Sequence, residues 1–202
     1  MRRGLLAIAV AAALLGASTA CDYTGAPGGV RMSVVGESIA GGAEAELRAD
    51  FGQERQIHTL LINHRHIRQI GAYLPDIVDD PDLRILVVQL GVNDSAEKRT
   101  ATQIQADMRA FLQVAAPAVE CVWWLDIKED VLVGNPVYDA MAPRFNQILR
   151  GEAARHANVH VGEFDAWATA RPQYLGKDGL HLSGAGRVAF TNWVENELVA
   201  SC

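Results

Sequence analysis

Basic charge is in short supply in this 202-residue chain, where 18 Lys and Arg face 24 Asp and Glu for a net charge of −6. Aromatic residues make up only 6% of it, and none interleave with a basic stretch. An acidic surface repels phosphates, so nucleic acid is excluded as a partner. Long apolar runs are also scarce. The one candidate, residues 4–15, is about twelve residues, short of the roughly 20 that a membrane-spanning helix needs. Internal repeats are absent, and low complexity is confined to the N-terminus. The loops between predicted elements are short and leave no room for a lid domain.

Cysteine is limited to Cys21, Cys121 and Cys202. His58, His64 and His66 invite a metal reading, but Arg65 and Arg68 disfavour a cation there. No Cys or Glu nearby completes a ligand set, so no metal is expected.

Half of the residues are hydrophobic, an ordinary balance for one globular domain. The first twenty residues stand apart from it. Arg2 and Arg3 precede the apolar run, and small residues follow at 16–20, which is the layout of a secretory signal. Cys21 comes directly after it. That placement resembles a bacterial lipoprotein signal, with Ser18 where such signals usually carry Leu. The expectation is a secreted or cell-envelope protein that meets the membrane only through a lipid on Cys21. Cys121 and Cys202 are then an even pair in an oxidising compartment. They form either a bridge or a buried thiol plus a loose terminal one.

Residues 21–29, with Gly25, Pro27, Gly28 and Gly29, read as a linker. Beyond it the periodicity alternates. Apolar or β-branched runs predict strands at 30–35, 57–62, 84–90, 119–126 and 158–161. Helical patterns predict helices at 40–50, 67–78, 100–114, 137–152 and 184–199, with Pro75 kinking or breaking the second. Trp123 and Trp124 lie on opposite faces of one strand, and both are expected in the core. Five strands, each followed by a helical segment, predict an α/β domain over 30–202. Its architecture is a three-layer, doubly wound α/β/α arrangement around a five-stranded parallel sheet.

In such a sheet, ligands bind beyond the carboxyl ends of the strands. Three polar segments fall there. Gly36-Glu37-Ser38 follows the first strand, and Ser38 is either a helix cap or an exposed hydroxyl at a helix start. Gly91-Val92-Asn93-Asp94 follows the most apolar strand, where Asn93 is either a turn residue or a neutral donor to an oxyanion. Asp178-Gly179-Leu180-His181 precedes the last helix. An Asp three residues before a His can accept from its Nδ1–H and leave Nε2 for a nucleophile.

Together these blocks resemble the SGNH (GDSL) hydrolase family of esterases and lipases. Their order and placement match it across nearly the whole domain. The resemblance implies a flavodoxin-like fold, hydrolysis of carboxylic esters through an acyl-enzyme, and no cofactor. By resemblance Ser38 is the nucleophile, His181 the general base and Asp178 its orienting acid. The Ser38 N–H and Asn93 are oxyanion donors. Glu37, Asp94, His64 and Arg65 are expected to line the cleft. The substrate class implied is a small-molecule or carbohydrate ester, of short acyl groups or acetylated sugars. Two departures stand out. Glu37 replaces the usual Asp, and residues 63–66 lack the Gly whose N–H completes the family's oxyanion hole. They motivate an alternative: a catalytically degenerate envelope protein of this fold that binds carbohydrate or a partner.

Overall fold

The computed structural model describes residues 22–132 and 134–202. The leader and Cys21 lie outside the described residues.

Six strands form one sheet: β1 (Thr24–Gly25), β2 (Val30–Gly36), β3 (Arg55–Leu61), β4 (Leu83–Gln89), β5 (Cys121–Leu125) and β6 (Val159–Gly162). Their order is β1-β3-β2-β4-β5-β6. The five predicted strands are parallel to one another and have the flavodoxin-like order. The sixth corrects the count. β1 is a two-residue antiparallel edge, Thr24 opposite Ile57 and Gly25 opposite Gln56, and it lies within the stretch read as a linker. An edge strand needs only backbone N–H and C=O groups, so no apolar pattern announced it.

Buried apolar side chains line β2 and β4 almost without a break: Met32, Val34 and Val35 on one, Ile85, Leu86, Val87 and Val88 on the other. Strands with both faces covered require this. One covering layer contains α2 (Glu44–Phe51), α8 (Phe164–Thr169) and α9 (Gly184–Trp193). The other contains α3 (Ile67–Gly71), α4 (Leu74–Val78), α6 (Ala101–Ala115) and α7 (Pro136–Ala153). Two short helices, α1 (Ser38–Gly42) and α5 (Val92–Ala96), begin just beyond β2 and β4.

Three predicted helices are shorter than their patterns. Helix 40–50 divides at Gly42 and Ala43 into α1 and α2. Helix 67–78 divides before Pro75, which sits in the first turn of α4, where its missing N–H costs nothing. The closing helix leaves regular α geometry after Trp193. Trp124 is fully buried, whereas Trp123 is half-buried beside the His160 ring. Cys121 and Cys202 form a disulfide with sulfurs 2.06 Å apart, which clips the C-terminus onto β5. Closing a loop of 81 residues is worth about 4 kcal/mol in the chain-entropy model.

Candidate active site

The chain direction around the sheet reverses between β2, whose crossover runs to β3, and β4, whose crossover runs to β5. Their carboxyl ends flank the crevice where such folds bind ligands. Two of the three polar segments sit on those ends, and the third reaches them from the start of α9.

Each strand end caps its neighbour's helix. The Ala40 N–H, in the first turn of α1, donates to Gln89 Oε1 at the end of β4 (3.0 Å). In return, Glu37 at the end of β2 accepts from Gly91 N (2.9 Å), Val92 N (2.6 Å) and Asn93 N (3.1 Å) at the start of α5. The exchange satisfies donors that a helix start leaves without partners. It also settles the reading of Ser38. That residue is the first of α1, after the N-cap Glu37, and the first-turn N–H of Ala40 is taken by Gln89 rather than by a serine hydroxyl. The Ser38 hydroxyl is left for other chemistry, and the Ser38 N–H has no acceptor within the helix.

That hydroxyl lies 3.0 Å from His181 Nε2, and His181 Nδ1 lies 2.6 Å from Asp178 Oδ2. The other Asp178 oxygen accepts from the N–H groups of Leu180 and His181, both at 3.0 Å. Partial burial raises the Asp178 pKa, but these hydrogen bonds, led by that from the His181 side chain, outweigh it and hold the carboxyl below its ordinary value. It is therefore ionised wherever histidine titrates. The turn is fixed from outside by Leu132, whose N–H donates to Asp178 O (2.9 Å). Leu132 also packs on Gly179, at φ +70°, where a Cβ would meet it at 2.7 Å. Only glycine fits there.

The Asn93 side-chain amide also donates to Glu37. The remaining expected site residues are distributed unevenly. Glu37 and Asp94 are fully buried and do not line the cleft, which corrects that expectation. They hold the polar segments from beneath. Asp94 accepts from Ile67 N (2.9 Å) and pairs with Arg99 (2.6 Å), tying the start of α3 to α5. Its burial raises its pKa, against those two partners. His64 and Arg65 are exposed on the loop after β3, which leaves the sheet next to Gly36 through Ile62 N (3.0 Å to Gly36 O). Asn63 of that loop lies beside Gly41 of α1. His64 adopts φ +56°, the one left-handed non-glycine among the described residues. The stretch without the family's Gly therefore makes a left-handed turn regardless.

Sequence reading missed Gln89 and Leu132 as parts of this assembly. A lone Gln closing an apolar strand was a visible signal. Nothing in the sequence joined Leu132 to residue 178. No three His, Cys, Asp or Glu side chains among the described residues are grouped to hold a metal ion.

Comparison with known proteins decides the family. The model of the GDSL-like Lipase/Acylhydrolase family matches residues 14–189. The chain belongs to that family. It is an ester hydrolase of the SGNH/GDSL type. Solved structures of the same fold include a lipase/acylhydrolase from Enterococcus faecalis (TM-score 0.70, 15% identity, 85% of this chain and 96% of that one). A lipolytic protein of the G-D-S-L family from Veillonella parvula is similar (0.67, 14%, 84% and 98%). So is Axe2, an acetylxylan esterase from Geobacillus stearothermophilus (0.62, 15%, 83% and 93%). At such identities the likeness is one of fold. No curated protein sequence matches the chain.

Proposed function

We propose that this hydrolase is an exported serine esterase with Ser38 as its nucleophile. The observation that carries the reading is the unbroken chain from Asp178 through His181 to the Ser38 hydroxyl, at 2.6 and 3.0 Å. Ser38 Oγ attacks the ester carbonyl while His181 Nε2 takes its proton. Asp178 holds the imidazole with Nδ1 protonated and stabilises the imidazolium that forms. Charge developing on the carbonyl oxygen is met by the Ser38 N–H and the Asn93 amide. His181 then protonates the departing alcohol. Water, activated by the same imidazole, releases the acid and restores Ser38.

Short acyl esters, including acetylated carbohydrates, are the proposed substrates. Short loops and the exposed position of His181 favour a shallow cleft over a long acyl tunnel. The acetylxylan esterase of the same fold is consistent with this choice. Export is supported by the leader-like N-terminus and by the Cys121–Cys202 bridge, since cytosolic thiols are kept reduced. Lipidation of Cys21 belongs to the same proposal, and mass spectrometry of the mature N-terminus tests it.

The deciding experiment compares wild type with Ser38→Ala on p-nitrophenyl acetate and on a fluorophosphonate probe. Activity should fall on the order of 10⁴-fold or more, and labelling should vanish. A Ser38→Ala protein that keeps wild-type turnover removes the mechanism. Wild-type protein that neither turns over nor labels returns the degenerate, carbohydrate- or partner-binding reading.

A further inference from the structure

Glu37 is a fully buried acid one residue from Ser38. A charge there is costly unless its oxygens are occupied. Four N–H groups converge on them. Gly91 N and Val92 N donate to Oε1, and Asn93 N and Asn93 Nδ2 donate to Oε2. Two donors per oxygen fill the lone pairs of an ionised carboxylate. A proton on Oε2 would set an O–H against N–H groups that are themselves donors. Three of the four bonds complete the first turn of α5, as any helix cap does. The fourth does not serve the helix. The Asn93 Nδ2 carries two hydrogens, and engaging one fixes the amide plane and so the direction of the other.

We propose that Glu37 is a positioning residue for ester hydrolysis, its carboxylate orienting the Asn93 amide so that the second Nδ2–H faces the oxyanion formed beside Ser38. This rests on the triad reading above and adds to it a group that never touches substrate. The chain's departure from the family's Asp bears on it directly. In this chain the Glu37 carboxylate reaches the backbone of residues 91–93 and the Asn93 side chain together.

The holding form is the ionised one, and its population depends on pH. Burial pushes Glu37 up to about 8, against the N–H groups of Val92, Asn93 and Gly91, and the Asp94 carboxylate adds to the rise. Asp94 is itself partnered by Arg99. From α7 the Tyr138 phenol is pushed up by burial and further by the Glu37 charge, and stays neutral through this range. Asn93 is therefore held more firmly as pH rises past neutrality.

The test is a double-mutant cycle on the full chain, with kcat and KM for p-nitrophenyl acetate measured from neutral to alkaline pH. Ser38 dependence is established first, so that failure of the triad reading is seen separately. Glu37→Gln should lower kcat about 10- to 100-fold with KM within about threefold. It should also remove an alkaline ionisation from the wild-type kcat profile. Paired with Asn93→Ala, it should cost little more than Asn93→Ala alone. Glu37→Asp should keep the ionisation and restore part of kcat, and it carries the cycle if the Gln protein does not fold. Additive losses in the Asn93→Ala background, or identical pH profiles for wild type and Glu37→Gln, would overturn the proposal.

Discussion

His64 carries backbone strain on the loop after β3. At φ +56° an L-residue pays roughly 1–2 kcal/mol that glycine does not. Glycine loses about 0.5–1 kcal/mol in unfolded-state entropy by comparison. His64→Gly should therefore stabilise the protein by about 0.5–1 kcal/mol, seen as a melting point a few degrees higher. A lower melting point would mean that the exposed imidazole contributes more than the strain costs. The left-handed turn was not legible, because Asn63-His64-Arg65-His66 contains no glycine to mark it. That Ser38, Asp178 and His181 come within hydrogen-bond reach of one another was legible, because their segments fall at a strand end and just before a helix start. Glu37 and Asp94 were misplaced for a related reason. Each adjoins a site residue in sequence, yet each points into the protein, Glu37 to the start of α5 and Asp94 to that of α3.

At the scale of elements, the site depends on how closely strand ends approach helices. Gly91 joins β4 to α5 at φ +128°, and a Cβ there would lie 2.1 Å from Phe145 Cζ on α7. Gly91→Ala combines overpacking, about 1–3 kcal/mol, with backbone strain of similar size. It should cost about 3 kcal/mol or more and sharply lower soluble yield, measured by urea unfolding of whatever protein is recovered. Near-wild-type stability would show that α7 can withdraw. The turn at Gly179 follows the same rule, with Leu132 in place of Phe145. The parallel strands were readable because burial on both faces forces apolar runs such as 84–90. β1 escaped because pairing with β3 uses only main chain. The division of helix 67–78 was half legible. Pro75 announced a break, but its preference for a helix's first turn set α4 beginning at Leu74 rather than a kink within one helix.

Across the whole molecule, buried acids tie stability to pH. Glu37 binds its proton up to about pH 8 when folded, against 4.5 for an ordinary glutamate. Burial pushes Asp126 up as well, opposed by the Asp165 N–H and Arg150. For such groups the folded state holds more protons than the unfolded state between the two values. Stability must therefore fall as pH rises through that window. Asp178, Asp80 and Glu152 are shifted the other way. Their contribution is present above the ordinary carboxylate range and is lost as pH falls through their lower folded values. The melting temperature should thus peak in mildly acidic solution and decline from about pH 5 to about pH 8. Glu37→Gln, which has no proton to lose, should make the decline shallower and leave the part due to Asp126; a flat wild-type profile would contradict the assignment. Ionised Glu37 is also the form that holds Asn93, so turnover should rise over the same interval in which stability falls. The two optima are expected on opposite sides of neutrality, with the titration of Glu37, the buried carboxyl beside Ser38, contributing to both.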